Sequence, residues 1–422
     1  MGPTALFDKS ALQALNIDES VWFEAFLLAN ITPVFYVETL ADLEKEVAEG
    51  RTPEQVVGSL AAKTPSDAAP NVHHRRLISA ELLGQADVAM DGRAIVSAGE
   101  MKKAPDGTVG IHVDEFPEMS AFLRWKVGEF LEIERELAKG WREELAANDP
   151  DRMVGIVKNI LPLDARVSQL GELMPFIESF CASQDEEVLR LALEILAVPD
   201  NARKAVVLRW ERAGRPALSK FAPYSAHVVA VDLLYYLGIH RGFISSERAS
   251  NKADLSYLNY LPFAQIFVSN DRLHARTAPL FLRDDQVYVS GVELKDALAE
   301  IDRYYDALPD EIKERGVLAF VMFPPTDLDN LVPKLWDSYM HPDWRAMAAE
   351  KEESWHRRRD SEEDRETVAD LRSRIEGAVP AEGHEATLDS DAADYLVVRR
   401  QVPIHKGKWR MVPRAVEKAE ED

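Results

Sequence analysis

The chain has 422 residues, of which 46% are hydrophobic, and its formal net charge is −23 at pH 7. This length exceeds what one hydrophobic core usually serves, so two or three structural units are expected, and the hydrophobic content excludes a chain that is disordered as a whole. The single cysteine, Cys181, excludes a disulfide framework and cysteine-based zinc sites, and the negative charge argues against broad, non-specific affinity for nucleic acid.

The sequence contains no segment with the features of a membrane or secretion signal. The start, MGPTALFDKS, lacks a basic region before a long apolar run, so no signal peptide is expected. No uncharged apolar stretch of about 18 residues occurs, so no membrane-spanning helix is expected. Together with the low cysteine content, which is typical of a reducing compartment, these features predict a cytoplasmic protein.

The first 49 residues are predicted to alternate between strands and helices. Thr4–Phe7 is an apolar run long enough for a central strand. Two helices are predicted next, over residues 11–15 and 21–29. A second strand is predicted over Pro33–Val37, and a helix is predicted to begin at Glu38.

Residues 50–225 have a different composition from the segments on either side. Residues 50–70 are rich in Pro, Ala and small polar residues, which is typical of a connector. Residues 93–98 and 108–113 alternate enough to predict two strands of a hairpin. Further helices are predicted over residues 121–147, 188–197 and 202–212. The segment is therefore predicted to be a mostly helical insertion that carries a small hairpin.

The alternation of strands and helices resumes after the insertion. Helices are predicted over residues 227–238, 254–263, 272–281 and 292–305, and strands over residues 265–268 and 286–289. Strands joined through helices rather than tight turns indicate a mostly parallel sheet with helices on both faces. The fold class predicted is α/β, with a discontinuous domain formed by residues 1–49 and 226–306.

Residues 307–422 are predicted to form a C-terminal extension of another character. One more strand is predicted over Val317–Phe323. The density of Glu, Arg and Asp in residues 345–378 indicates a solvated helix. The acidic residues 415–422 are predicted to be a disordered tail.

Three aspartates are predicted to lie where an α/β sheet presents its chemistry. Asp8 ends the first strand, Asp254 opens a helix, and Asp271 follows the strand that comes next. Carboxylates that converge at one sheet edge repel each other unless a cation neutralises them. Because Mg²⁺ and Mn²⁺ prefer carboxylate and water oxygens, we expect these three side chains to converge on one such ion.

The order of these acids resembles the PIN domain, a family of metal-dependent nucleases. The family has an Asp after the first strand, an acid in the helix after the second strand, an Asp opening a later helix and an Asp after the next strand. Asp8, Asp254 and Asp271 match the first, third and fourth positions. Either Glu38 or Asp42 matches the second position, where Glu is usual in the family.

The resemblance covers roughly residues 1–48 and 226–303. It implies a PIN-like ribonuclease that hydrolyses phosphodiester bonds at a carboxylate-held Mg²⁺ or Mn²⁺ site. The expected catalytic residues are Asp8, Asp42, Asp254 and Asp271, and the expected metal ligands are Asp8, Glu38, Asp254 and Asp271. The residues expected to orient the carboxylates or to contact substrate phosphate are Ser10, Ser269, Asn270, Arg272 and Arg276.

The expected substrate is single-stranded RNA, which needs a local basic path because the average charge of the chain repels it. Residues His73–Arg76 form one candidate basic strip, and Arg272 with His274 and Arg276 form a second. A third candidate consists of Arg399 and Arg400 with Lys406, Lys408 and Arg410. The helical insertion is expected to shape substrate access or to contact a protein partner. A homo-oligomer is a further alternative left open by the sequence.

Other interpretations remain open at this stage. Each aspartate alone is also a normal helix cap, since Asp is strongly preferred at that position. A degenerate PIN-like fold that keeps these acids only as caps would be a non-catalytic binding or scaffold protein. A third interpretation is a hydrolase that acts on a small phosphorylated substrate at the same acidic edge.

Overall fold

The computed structural model describes most of the chain, with gaps. The described residues are 2–41, 43, 50–66, 69–95, 100–113, 117–131, 133–134, 136, 139–140, 150–160, 167–248, 250–357, 373–381, 395–398 and 402–412.

The centre of the protein is a five-stranded sheet in which every pairing is parallel. In chain order its strands are β1 (Thr4–Phe7), β2 (Leu28–Ile31), β3 (Ala69–Pro70), β6 (Ile266–Ser269) and β7 (Val287–Ser290). In space the order is β3-β2-β1-β6-β7. Strands β1 and β6 are buried throughout, which explains why both appear in the sequence as continuous apolar runs. The prediction of an α/β fold with a parallel sheet is thereby confirmed.

This strand order fixes where a site is expected. From β1 the sheet is built outward through β2 to β3 on one side, and through β6 to β7 on the other. The segments that follow β1 and β6 therefore lead toward opposite sides of the sheet, which makes the carboxyl ends of these two strands its switch point. Ligands of open α/β sheets bind at such a switch point. Asp8 follows β1 directly, and Asp271 follows β6 after Asn270.

Helices surround the sheet. Those before the second half of the sheet are α1 (Lys9–Ala14), α2 (Ile17–Phe26), α3 (Pro33–Ala41), α4 (Pro53–Ala61), α5 (His74–Leu83), α6 (Pro117–Lys126), α7 (Pro150–Ile160), α8 (Met174–Cys181), α9 (Glu186–Ile195), α10 (Asp200–Arg212) and α11 (Leu218–Phe221). Those that follow are α12 (Pro223–His240), α13 (Ser250–Ser256), α14 (Arg272–Thr277) and α15 (Gly291–Asp306). Helices α1 and α2 pack against α15, whereas α12 packs against α5, α7 and α8. No helix among the described residues is both long and apolar enough to cross a bilayer.

The predicted second strand, Pro33–Val37, is wrong. This segment is the first half of helix α3, and the second strand lies earlier, at Leu28–Ile31, within the segment predicted to end a helix. Pro33 occupies the first helical position, where its missing N–H costs nothing and its fixed φ suits a helix. Thr32 Oγ1 accepts a hydrogen bond from Phe35 N at 3.4 Å and helps to start the helix. Tertiary packing therefore overrides the strand preference of these β-branched and aromatic residues.

The predicted position of Asp254 at a helix start is also wrong. Helix α13 begins at Ser250, so Asp254 lies inside it. The rest of the predicted helix is a 3₁₀ segment, Tyr257–Phe263, which contains Pro262. A proline lacks the N–H that an α-helix needs in its interior, which accounts for the change of helix type.

A second sheet joins the insertion to the C-terminal extension. Strands β4 (Glu100–Lys103) and β5 (Val109–Val113) form an antiparallel hairpin. The first of these is therefore shifted from the predicted residues 93–98, of which 93–95 are described and form no strand. Strands β8 (Val379–Pro380) and β9 (Tyr395–Val398) complete a four-stranded sheet in the order β8-β4-β5-β9.

The C-terminal extension is mainly helical where it is described. Its helices are α16 (Asp310–Lys313), α17 (Val317–Phe320), α18 (Leu331–Tyr339) and α19 (Trp344–Arg357). The predicted strand over Val317–Phe323 is therefore wrong, because its first four residues form a short helix that follows Gly316, whose φ is +82°. The predicted acidic tail, residues 415–422, lies outside the described residues, as do residues 358–372 of the predicted charged helix.

A short C-terminal hairpin, β10 (His405–Lys406) and β11 (Trp409–Arg410), packs on helix α2. Lys406 Nζ donates to Glu24 Oε2 at 2.7 Å, and both side chains are buried. The Trp409 ring meets the Trp22 ring edge-on at 4.7 Å. The last described segment of the chain is thus part of the same core as its first strand.

Candidate functional site

Two aspartates at the switch point, Asp8 and Asp271, are helix N-caps. Asp8 is the N-cap of α1, and its Oδ1 accepts a hydrogen bond from Ala11 N at 2.8 Å. Asp271 is the N-cap of α14 and accepts from Leu273 N. Capping is therefore a real role of both aspartates, as the alternative interpretation expects. Capping and a functional role are compatible, because each cap uses one carboxylate oxygen.

The carboxylate of Asp8 is buried and surrounded by hydrogen-bond donors, with only 3% of the residue exposed. Ser10 Oγ donates to it at 2.8 Å, and Ser269 Oγ donates to Oδ2 at 2.6 Å. The same hydroxyls accept hydrogen bonds from the backbone N–H groups of Asn270 and Asp271, at 3.0 and 2.9 Å. The two serines therefore fix the loop after β6 to the carboxylate after β1.

The side chain of Asn270 is also held in place. It packs against Gly291, where an added Cβ would lie 2.7 Å from the amide nitrogen of Asn270. Any other residue at position 291 would displace this amide. Of the predicted residues, Ser10 and Ser269 thus contact the carboxylate of Asp8 directly. Asn270 contacts Ser10 instead, through its backbone N–H and, at 3.5 Å, through its side-chain amide.

His274, which the sequence placed only in a basic surface strip, forms an ion pair with Asp8. Its Nδ1 donates to Asp8 Oδ2 at 3.1 Å, and its Nε2 donates to the backbone carbonyl of Asp254 at 2.7 Å. Burial disfavours both charges, but the hydrogen bond and the attraction between the two groups outweigh it. As a result, the pKa of His274 rises to about 9 and the pKa of Asp8 falls below its usual value.

This arrangement corrects the predicted basic strip that included His274. Only 1% of His274 is exposed, so it belongs to the interior of the site and not to its surface. Arg272 and Arg276 are exposed, as a surface strip requires. Arg276 Nη1 donates to the backbone carbonyl of Phe243 at 3.4 Å.

Glu38 extends from helix α3 toward the same site. Tyr257 Oη donates to its Oε2 at 2.6 Å. The pKa of Glu38 is raised to about 8: burial is the largest cause, the negative charges of Asp8 and Asp254 add to it, and the Tyr257 hydrogen bond and the charge of Lys9 oppose it. The pKa of Tyr257 is in turn raised by its own burial and by the charges of Glu38, Asp8 and Asp254. The charges of Glu38, Asp8 and Asp254 are therefore close enough to shift the pKa values of groups in the same small region.

The other predicted acids are placed differently. Asp271 lies in the loop after β6, and the charges of Asp8 and Asp271 both raise the pKa of Tyr288, after the larger effect of its burial. Asp42, the alternative second acid, lies outside the described residues. Among the residues that the structure describes, no set of three or more His, Cys, Asp or Glu side chains is close enough to hold a metal ion by itself.

The roles of His274 and Tyr257 were not predicted from the sequence, and the reason is the same for both residues. His274 and Tyr257 are ordinary in their local context, and only the fold places them beside Asp8 and Glu38. The one available signal was the position of His274 on the first turn of the helix capped by Asp271. A side chain at the start of such a helix points back toward the sheet edge.

The Asp8–His274 pair predicts a specific pH dependence of stability. Because the folded pKa of His274, about 9, is above the value of about 6.5 for a free histidine, its contribution is complete below pH 6.5 and is lost as the pH rises through 9. We therefore expect the free energy of unfolding to fall less between pH 6 and pH 9.5 in His274→Gln than in the parent. Urea unfolding at both pH values measures this.

The matched control for that measurement is His341→Gln, which removes an exposed histidine whose side chain is 69% accessible. Its pH dependence should follow the parent. If His274→Gln also follows the parent, the pair is not charged in the folded protein.

Comparisons with known proteins add no family to this geometry. No family model matches the chain, and neither the curated proteins nor the solved structures that were compared give a match. The candidate function is therefore argued from the site alone.

Proposed function

We propose that this protein is a metal-dependent nuclease that hydrolyses phosphodiester bonds, with single-stranded RNA as its substrate. One observation carries the proposal: Glu38 lies close enough to Asp8 and Asp254, at the switch point of a parallel sheet, for both charges to raise its pKa. The PIN-like order of these acids supports the same function. Glu38 is proposed as the second acid, because the charges of both Asp8 and Asp254 influence its pKa.

The donor set is suited to a hard divalent cation. Carboxylate oxygens are the ligands that Mg²⁺ and Mn²⁺ prefer. Mg²⁺ usually keeps several waters and is held by one or two carboxylates together with substrate phosphates. A site without three converging protein ligands is therefore compatible with such an ion. Glu38 and Asp254 are the proposed direct ligands, with Asp8 and Asp271 as further acids of the site.

A bound ion would polarise the phosphoryl oxygen and lower the pKa of a bound water. The surrounding residues of the chain have separate tasks. Tyr257 orients the carboxylate of Glu38 through its 2.6 Å hydrogen bond. His274 neutralises Asp8 and fixes the helix that carries Asp254. The exposed arginines Arg272 and Arg276 are proposed to contact substrate phosphate.

Glu38 also explains why a cation would be favoured there. With a pKa of about 8, its carboxyl group keeps a proton at Oε1 or Oε2 in most molecules at pH 7. A positive charge nearby favours the ionised form of a carboxyl group. Ionisation of Glu38 and binding of a cation should therefore be coupled, which makes activity rise with pH through the range below 8.

The direct test is cleavage of a labelled single-stranded RNA of mixed sequence in the presence of Mn²⁺ or Mg²⁺. We expect endonucleolytic products in their presence and none in EDTA. The same assay with single-stranded DNA and with a small phosphomonoester separates a ribonuclease from the small-substrate hydrolase. Absence of RNA cleavage with either ion would contradict the proposal.

One observation favours a second function, a non-catalytic binding protein built on the same fold. The carboxylate of Asp8 is already neutralised by His274 and already accepts hydrogen bonds from two serines and one backbone N–H. This arrangement satisfies Asp8 without a metal ion. The binding protein would keep its melting temperature unchanged when Mn²⁺ is added, whereas a nuclease that binds Mn²⁺ in the folded state would gain stability.

A further inference from the structure

A second feature is a cavity of about 550 Å³ between helices α3, α5, α12 and α13. Val37 and Ala253 are in its wall, and each directly precedes an acid of the site, Glu38 and Asp254. The two helices that carry these residues, α3 and α13, are in contact. The cavity and the candidate site are therefore neighbours, separated by one residue along each helix. Its volume lies within the range of about 300–1,000 Å³ that is common for small-molecule pockets.

The wall of this cavity contains an unsatisfied polar group. Asn259 is only 3% exposed, and its Oδ1 has no hydrogen-bond partner among the described residues. A buried amide oxygen without a partner is costly, because it has lost its water without gaining another donor. A ligand that donates an N–H at this position would remove that cost.

The remaining wall is mainly apolar and aromatic. Val34, Ile78, Leu196 and Val228 contribute aliphatic surface. The rings of His73 and His74 stack on each other, with centroids 4.4 Å apart and an angle of 26° between their planes. Burial lowers the pKa of both histidines, which favours neutral rings. Flat apolar surface beside an amide acceptor suits a flat heteroaromatic ring with an exocyclic amine.

Cationic groups lie at the rim. Arg75, on the first turn of α5, is exposed and lines the cavity. Lys252 also lines it, but this lysine is paired with Asp232 and lies over the Tyr235 and Tyr236 rings. A ligand that enters with its ring inside would therefore leave an attached phosphate close to Arg75.

We propose that this cavity binds one nucleobase of single-stranded RNA, next to the phosphate that the carboxylate site would hydrolyse. The choice of RNA as the source of the base rests on the proposed function. Asn259 reads the edge of the base, the apolar wall and the histidine rings contact its faces, and Arg75 contacts the adjoining phosphate. A free phosphate would gain nothing from contact with the apolar wall. A hydrocarbon ligand would leave the Oδ1 atom of Asn259 without a hydrogen-bond donor.

Binding of AMP, CMP, GMP and UMP to the full chain, measured by calorimetry in EDTA, tests this proposal without catalysis. We expect at least one of them to bind, with AMP, CMP and GMP favoured over UMP because each of the three carries an exocyclic amine that can donate to Asn259. Arg75→Gln should weaken binding by about tenfold, the usual effect of one lost charged hydrogen bond. It should leave binding of the matching nucleoside unchanged.

The matched control is Arg76→Gln, an exposed arginine next in the chain that does not line the cavity. It should bind like the parent. Asn259→Leu, which removes the amide, should weaken both the nucleotide and the nucleoside by at least about tenfold. Circular dichroism of each variant confirms that it is folded, and Arg75→Gln keeps the test decisive if Asn259→Leu does not fold.

Two outcomes overturn the proposal: no binding of any of the four nucleotides, or equal binding by the parent and Arg75→Gln. Its failure can be told apart from failure of the proposed function. RNA cleavage without nucleotide binding would overturn the proposed nucleobase pocket and support the proposed nuclease activity. Nucleotide binding without metal-dependent cleavage would support the proposed nucleobase pocket and overturn the proposed nuclease activity.

Discussion

Replacing Lys406 with methionine is expected to lower the free energy of unfolding by about 3 kcal/mol, the lower end of the range for a broken buried ion pair. The physical reason is that Glu24 would remain buried without its main partner, since Lys406 donates to it at 2.7 Å. The loss is held to the lower end because Lys126 also attracts Glu24 and the backbone N–H of Ser66 still donates to it. Urea unfolding at pH 7 measures the change.

Two further variants make this result specific. Lys408→Met applies the same substitution two residues away, to a lysine that is 39% exposed and pairs with Asp302 and Asp306. It should cost less than about 1 kcal/mol, as surface pairs do. Combining Lys406→Met with Glu24→Gln removes both charges and should recover a large part of the loss. Equal losses in Lys406→Met and Lys408→Met would mean that the pair does not hold the C-terminal hairpin to the core.

Replacing Glu38 with glutamine is expected to reduce RNA cleavage by more than about 100-fold. Even groups that only orient metal ligands cost roughly 10–100-fold when they are removed, and Glu38 is proposed to bind the ion directly. The side chain keeps its shape and can still accept the hydrogen bond from Tyr257. Asp254→Asn should cause a loss of similar size. The control is Asp200→Asn, which changes an acid that is 93% exposed on another helix.

The same variant should be more stable than the parent, and this opposite effect distinguishes a functional acid from a structural one. The folded pKa of Glu38, about 8, is above the ordinary value of 4.5, so its ionisation opposes folding increasingly as the pH rises from 4.5 to 8. The melting temperature of Glu38→Gln should therefore exceed that of the parent by more at pH 8 than at pH 5. A loss of stability at pH 8 would show that Glu38 stabilises the fold.

The local sequence was sufficient to predict those parts of the site that consist of one strand and the helix cap that follows it. Thr4–Phe7 and Ile266–Ser269 are short, buried apolar runs, and each is followed by a residue typical of a helix start. Asp8 and Asp271 were therefore predicted at the correct strand ends. Because parallel strands bring their carboxyl ends to one edge, the convergence of these two loops also followed.

Other parts depend on contacts that local patterns do not contain. Pro33–Val37 has the composition of a strand, yet Phe35 is buried as part of a helix that packs on Phe7. The role of His274 depends on its contact with Asp8, which lies 266 positions earlier in the chain. The role of Lys406 likewise depends on Glu24, which lies 382 positions earlier. Strand β3, only two residues long, joins the sheet from within the predicted insertion and has no periodic signal of its own.

Mn²⁺ binding measured by electron paramagnetic resonance shows whether the acids at the switch point bind a divalent cation. The parent should bind Mn²⁺ in a pH-dependent manner, more tightly at pH 8 than at pH 6, because Glu38 must lose its proton. Glu38→Gln should abolish this binding, and Asp200→Asn should leave it unchanged. Equal Mn²⁺ binding by the parent and Glu38→Gln, or no binding by the parent at either pH, would contradict the account.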